Sequence, residues 1–308
     1  MWGIQESARF QLLGAMAILD VALFMTSGMT LRWLDVVIPL AATAFLLLGA
    51  AYFRHQGRRP ILSRSLVAIA QIALFAILAA ILNYLLLVFD RPLIDDALLR
   101  ADEALGIHWL DLFAFLKGGA LSDVLTIAYQ SNGVLLVGVV ALLGFSGREA
   151  ELDRFLMAFF VATLLTFTFW TVFPSFGAAT HLVSIGAVAA LPGATVDVGF
   201  AKVLLALKSG ELKEMFLQDL KGLVAFPSMH TAMALLAVHA VRDIRPVFWP
   251  GLVWSALILL SIPVDGGHHV VDVAGGAVLT WLAILASRRI VAQVEERAAR
   301  GLPVPSSA

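Results

Sequence analysis

Residues 65–89 read SLVAIAQIALFAILAAILNYLLLVF, an unbroken stretch without one charged side chain. A helix needs about 20 apolar residues to cross the hydrocarbon core of a bilayer, and this run supplies them with a few to spare. Similar runs fall at 11–29, 33–53, 64–89, 121–144, 154–173, 226–242, 248–264 and 268–288. The reading is an all-α, polytopic membrane helix bundle of about eight transmembrane helices. Composition agrees: 60% of the 308 residues are apolar and 14% charged, against about 25% charged in an ordinary soluble domain. The net charge of −1 and the lack of a basic block argue against a nucleic-acid partner. With no cysteine, disulfides and thiolate metal sites are excluded. Met1 to Phe10 lacks the basic stretch and cleavage site of a secretory signal, so the first run is read as a retained span.

Arginine sets the expected orientation. Counting from Met1, alternate connections carry Arg9, then Arg54, Arg58, Arg59 and Arg64, then Arg148 and Arg154, then Arg242 and Arg245, then Arg288, Arg289, Arg297 and Arg300. Basic residues gathered in short loops mark the cytoplasmic side, which puts both termini there. On the opposite side, residues 93–118 mix apolar side chains with Asp95, Asp96, Asp102, Glu103 and Asp111, as suits a helix lying at the interface. The 174–225 connection is long, glycine-rich in its first half and helically periodic over 200–223. Long loops are often functional, and both segments are read as a rim over an outer-face site or as surface support.

Two short strings carry the chemistry. Phe226-Pro-Ser-Met-His230 opens the sixth run. Proline suits a first helical turn, whose free N–H groups and positive dipole end seat phosphate; Ser228 adds a hydroxyl donor. Asp265-Gly-Gly-His-His-Val-Val-Asp272 heads the eighth run. His268 and Asp272, four apart, share one helix face, so the carboxylate can take one imidazole proton and leave the other nitrogen free to attack. Gly266 and Gly267 let a head group approach the backbone. Because the sixth and eighth spans run in the same direction, His230 and His268 are expected at one depth on one side. Their joint pattern reads as an active site. Tyr129, Gln130, Ser131 and Asn132 form a polar patch high in the fourth span, and His269 reads as packing or head-group contact.

The PSMH string with G-x-H-x-x-x-D resembles the second and third signature motifs of the type-2 phosphatidic acid phosphatase superfamily. The fuller strings FPSMHTA and HHVVDVAGG look closest to its inositolphosphorylceramide synthase branch. The resemblance implies a six-helix catalytic core over 64–290, including 93–118 and 174–225. Residues 1–63 are then two additional N-terminal spans and 291–308 a cytoplasmic tail. It implies that His268 attacks phosphorus and becomes phosphorylated, that Asp272 orients it, and that His230 protonates the leaving alkoxide, then deprotonates the acceptor. It also implies that Ser228 binds phosphate oxygens, with no cofactor and no metal. Of the first motif, Arg91-Pro92 is present but Tyr84 stands where lysine belongs, and Ile262 replaces the third motif's arginine. Arg91 is then the remaining phosphate cation, with Lys117 or a long-loop lysine as substitutes. The implied partners are lipids: a phospholipid donor and a lipid alcohol or water as acceptor. A phosphatase releasing inorganic phosphate is the near alternative, and a transporter the one of another class. A metal reading would use His230, His268 and Asp272 as ligands.

Overall fold

The computed structural model describes residues 3–57, 59–215 and 223–300; Arg58, Lys221 and the tail beyond 300 fall outside them. The fold is a helical bundle. In order come α1 (Ile4–Ser27), α2 (Trp33–His55), α3 (Pro60–Leu85), α4 (Asp95–Ala104), α5 (Trp109–Lys117), α6 (Ser122–Gln130) and α7 (Asn132–Phe145). Then follow α8 (Glu149–Val172), α9 (Ala178–Ser184), α10 (Val198–Ser209), α11 (Met229–Val241), α12 (Arg245–Asp265) and α13 (Val270–Ala299). Two-residue strands β1 (Thr30–Leu31) and β2 (Glu214–Met215) pair in parallel and pin the α1–α2 turn to the long loop.

Among the described residues six helices are long and apolar enough to span a membrane alone: α1, α2, α8, α12, α13, and α3 with its 3-10 extension to Phe89. The expected fourth and sixth spans differ. Residues 122–145 form two helices, joined through Ser131 in helical geometry, with its N–H bonded to the Ile127 carbonyl and its carbonyl to the Leu135 N–H. The sixth is only 13 residues, because Ser228 caps α11 and a turn at Arg242–Ile244 ends it before α12. The interfacial segment is also not one helix. It is the pair α4 and α5, and α5 meets α6 at 103°. Residues 291–299 of the expected tail continue α13, with Val291 and Val294 buried and the Val291 carbonyl accepting from Gln5 Nε2 at 3.1 Å.

A core of α3, α8, α11 and α13 carries α1 and α2 on the α3 side and α12 with α6 on the other. Phe75 of α3 stacks on Phe160 of α8, ring centres 4.0 Å apart, with Phe159 edge-on at 5.5 Å. Such aromatic pairs add roughly 1 kcal/mol beyond the area they bury. Ion pairs gather at one end of the bundle: Arg54 with Glu6, Arg64 with Glu149, Arg9 with Asp153. His239, Arg242 and Arg288 line a cavity there with Arg154, Glu151 and Glu295. The first turn of α11 lies at that helix's other end.

Arg9 anchors α1. It is 1% exposed, pairs with Asp153 of α8 at 2.7 Å, and donates from Nε to Gln71 Oε1 of α3 at 2.7 Å. Gln71 in turn donates to the Glu6 carbonyl at 2.8 Å. Removing Arg9 leaves the buried Gln71 oxygen without its donor and the half-buried Asp153 without its partner, at a cost of about 1–3 kcal/mol. Arg9→Leu therefore lowers the unfolding temperature in detergent while the residual folded protein keeps its turnover rate.

Candidate active site

The start of α11 is built by capping. Ser228 has extended backbone geometry (φ −66°, ψ 115°) and its Oγ accepts from Thr231 N at 3.3 Å. Pro227 thus precedes the cap instead of lying in the first turn, and His230 is the second helical residue. Asn132 of α7 donates to the His230 carbonyl at 2.9 Å. Two glycines let α13 cross here at close range. A Cβ at Gly276 would lie 2.5 Å from the Ser228 carbonyl oxygen, and one at Gly275 would lie 2.6 Å from the Phe226 ring.

His268 does not share a helix face with Asp272, because α13 starts at Val270 with His269 as its cap. The contact forms by another route. Asp272, third residue of the helix, reaches back as carboxylates do in a capping box. One oxygen, Oδ2, meets His268 Nδ1 at 3.0 Å and accepts from the His269 N–H at 3.0 Å. With Nδ1 engaged by a carboxylate, Nε2 is the nitrogen left for chemistry. Trp109 Nε1 donates to the His268 carbonyl at 2.9 Å. Gly267 sits at φ +66°, its carbonyl accepts from Ala179 N at 3.0 Å, and a Cβ there would stand 2.6 Å from Ala179 Cβ.

A second acid system holds this loop from behind. Asp102 of α4 accepts from Val270 N and Val271 N at 2.8 and 2.9 Å, capping α13 with a full charge. Asp95 takes Gly177 N and Ser175 Oγ, each at 2.7 Å, and Phe176 N at 3.1 Å. Between them lies His269, fully buried, with Nε2 at 3.3 Å from Asp95 and Nδ1 at 3.8 Å from Asp102. The two imidazoles of this loop are driven apart. Burial pushes His268 down to about 4, with the neighbouring His269 adding to the effect. Burial pulls His269 down as well, but the Asp95 bond and the charges of Asp272, Asp95 and Asp102 outweigh it and raise the group. At neutral pH the first ring is therefore neutral and able to act as a nucleophile.

His230 and His268 meet edge to face, ring centres 6.1 Å apart. Both line a cavity of about 470 Å³. Its walls are mostly apolar, from Phe75, Phe159, Phe167, Leu204, Met229 and Met233, with Asn83, Tyr129, Gln130, Thr163 and Thr195 among the polar groups. Tyr129 stacks on His230 at 4.4 Å.

The other expected phosphate ligands are placed elsewhere. Arg91 is exposed and lines a separate small cleft with Asp90, Trp170 and Lys208. Lys117 is buried in an ion pair with Asp265 at 2.9 Å, shared with Thr126. Ser228 is fully buried as a cap, and Gly266, not Gly267, borders the cavity. No arginine or lysine lines the cavity among the described residues. Nor do those residues contain a group of three or more His, Cys, Asp or Glu placed to hold a metal ion.

The inward roles of Asp95 and Asp102 were missed in sequence, although a signal existed. They are seven apart on a short amphipathic helix, two turns on one face, while Asp96 and Arg100 pair on the exposed side. Tyr129 was grouped with its neighbours as a polar patch; its stacking on His230 depends on tertiary packing.

A family described as the PAP2 superfamily matches residues 96–286, more than half of the chain. The protein belongs to that superfamily, whose members are phosphatases or phosphotransferases. The matched segment runs from α4 into α13 and takes in Tyr129, His230, His268, His269 and Asp272, while Asp95 and the α3 wall of the cavity, with Phe75 and Asn83, lie outside it. Neither the curated proteins nor the solved structures contain a match.

Gly267→Ala forces a side chain into positive φ and against Ala179. Strain of this kind costs about 1–3 kcal/mol. The variant unfolds at lower temperature, and displacement of His268 reduces its turnover on the order of 100-fold.

Proposed function

We propose that the protein is a membrane-embedded lipid phosphotransferase that works through a phosphohistidine on His268. The observation that carries this reading is the pair of imidazoles 6.1 Å apart on one cavity, one backed by a buried carboxylate. His268 Nε2 attacks phosphorus of the donor lipid and forms an N–P bond as the P–O bond to the leaving alkoxide breaks. His230 gives that alkoxide its proton. In the second half-reaction His230 takes the proton of an acceptor hydroxyl, whose oxygen displaces His268 from phosphorus. Asp272, bonded to Nδ1, fixes the tautomer and offsets the positive charge that forms on the ring.

The lining argues for a phosphodiester donor. A phosphomonoester dianion in a largely apolar cavity needs cationic partners, and none lines it among the described residues. A diester carries one charge, which helix N–H groups and neutral donors can hold. We therefore favour transfer of a phospho-head group of the inositol phosphate type to a lipid hydroxyl, with the apolar wall holding acyl chains. Purified protein given phosphatidylinositol and ceramide should yield a new inositol-phosphate lipid and release diacylglycerol. Release of inositol phosphate and diacylglycerol without such a product would instead establish hydrolysis.

His268→Asn and Asp272→Asn abolish turnover while the protein stays folded, since both sites accept an isosteric amide. His230→Gln slows turnover by about 100- to 10,000-fold, least for donors with activated leaving groups. Wild-type protein quenched in mid-reaction carries acid-labile phosphate, and His268→Asn carries none. Normal turnover by His268→Asn would end the proposal.

The orientation follows the arginines: both termini cytoplasmic, the histidines facing the outer side. Having no cysteine, the chain accepts single reporters directly. A membrane-impermeant maleimide added to intact cells should label Ser209→Cys, on the site side, and should reach Ser146→Cys only after permeabilisation. The reverse pattern would invert the topology.

A further inference from the structure

With no arginine or lysine lining the cavity among the described residues, the non-bridging phosphate oxygens need neutral donors besides the N–H groups of the α11 N-terminus. Tyr129 is placed for it. Its ring lies on the His230 imidazole, centroids 4.4 Å apart and planes within 21° of parallel, which fixes where the hydroxyl points. It is nine-tenths buried and borders the cavity. Among the described residues the hydroxyl has no hydrogen-bond partner, which leaves it available to a ligand in the cavity.

Gly266 locates that hydroxyl relative to the nucleophile. A Cβ built there would stand 2.7 Å from His268 Cδ2 and 2.8 Å from the Tyr129 hydroxyl oxygen. One methyl-sized point therefore touches both groups, and Cδ2 is the ring atom bonded to Nε2. The absence of a side chain at Gly266 leaves open the gap between phenol and nucleophile. Tyr129, His230 and His268 then surround one small volume: a neutral donor, a proton carrier and a nucleophile.

We infer that Tyr129 is a catalytic residue whose hydroxyl donates a hydrogen bond to a non-bridging oxygen of the phosphodiester. It thereby holds the charge that a lysine or arginine would otherwise meet. The inference rests on the phosphohistidine reading above. In the step, the phenolic proton is shared and not transferred. His268 Nε2 still forms the bond to phosphorus, and the leaving alkoxide still takes its proton from His230.

The test uses full-length protein in detergent with a short-chain diacylglycerol p-nitrophenyl phosphodiester. Its two phosphorothioate diastereomers, each with sulfur at one non-bridging position, are assayed separately. Tyr129→Phe keeps the ring on His230 and removes only the hydroxyl. Loss of one such donor typically lowers kcat by about 100-fold, here with unfolding temperature and KM little changed. Sulfur accepts hydrogen bonds poorly, so wild-type enzyme should prefer one diastereomer, and Tyr129→Phe should lose most of that preference.

Unchanged kcat in Tyr129→Phe would overturn the inference. So would a lower kcat with diastereomer preference intact, since the ring would then act by packing alone. Failure of the underlying reading looks different: no wild-type turnover of the probe, or no loss of turnover in His268→Asn. Either result withdraws both.

Discussion

The site depends on how closely two helices cross. Helix α13 passes the first turn of α11 with only hydrogen atoms at Gly275 and Gly276 facing the Phe226 ring and the Ser228 carbonyl. At that crossing Ser228 N donates to the Asp272 carbonyl at 3.2 Å, so the residue that caps one helix is bonded to the residue that holds His268 at the start of the other. Neither imidazole could hold its place if the helices stood apart by one side chain. Glycine pairs of this kind admit close backbone approach in membranes, where packing and hydrogen bonds replace the hydrophobic drive between helices.

An imidazole on an apolar cavity also needs a rigid setting, and here it comes from outside the spans. The loop bearing His268 is held by Asp102 at the helix start, by Trp109 at the His268 carbonyl and by Ala179 at the Gly267 carbonyl. Those partners belong to α4, α5 and α9, the short helices of the two long connections. The connections therefore hold the catalytic loop in position as well as covering the bundle. Burial of His269 among three carboxylates is tolerated because each carboxylate also takes backbone or hydroxyl donors, and hydrogen bonds in a low-dielectric site rigidify their surroundings.

The apolar cavity explains a departure that the motifs alone leave unexplained. A site built for a dianion would be expected to keep its lysine and arginine. This one has Tyr84 and Ile262 in their places, sends Arg91 to a separate cleft and locks Lys117 onto Asp265. What remains around the two histidines is a set of neutral donors on a greasy wall, which suits a singly charged lipid diester.

Membrane residence, helical class, and the pairing of His268 with Asp272 were legible in sequence, because apolar run length and residue spacing act locally. The spacing gave the right contact by the wrong route: the carboxylate reaches back across a helix start instead of along a helix face. The count of eight full spans was not legible, because hydropathy does not register where a serine cap shortens α11 or where α5 and α6 bend. The burial of Asp95 and Asp102, the sequestration of Lys117 and the seat of Tyr129 on His230 were settled by tertiary structure alone. Each joins residues from about ten to more than a hundred and seventy positions apart, and only the crossing of packed helices determines which of them meet.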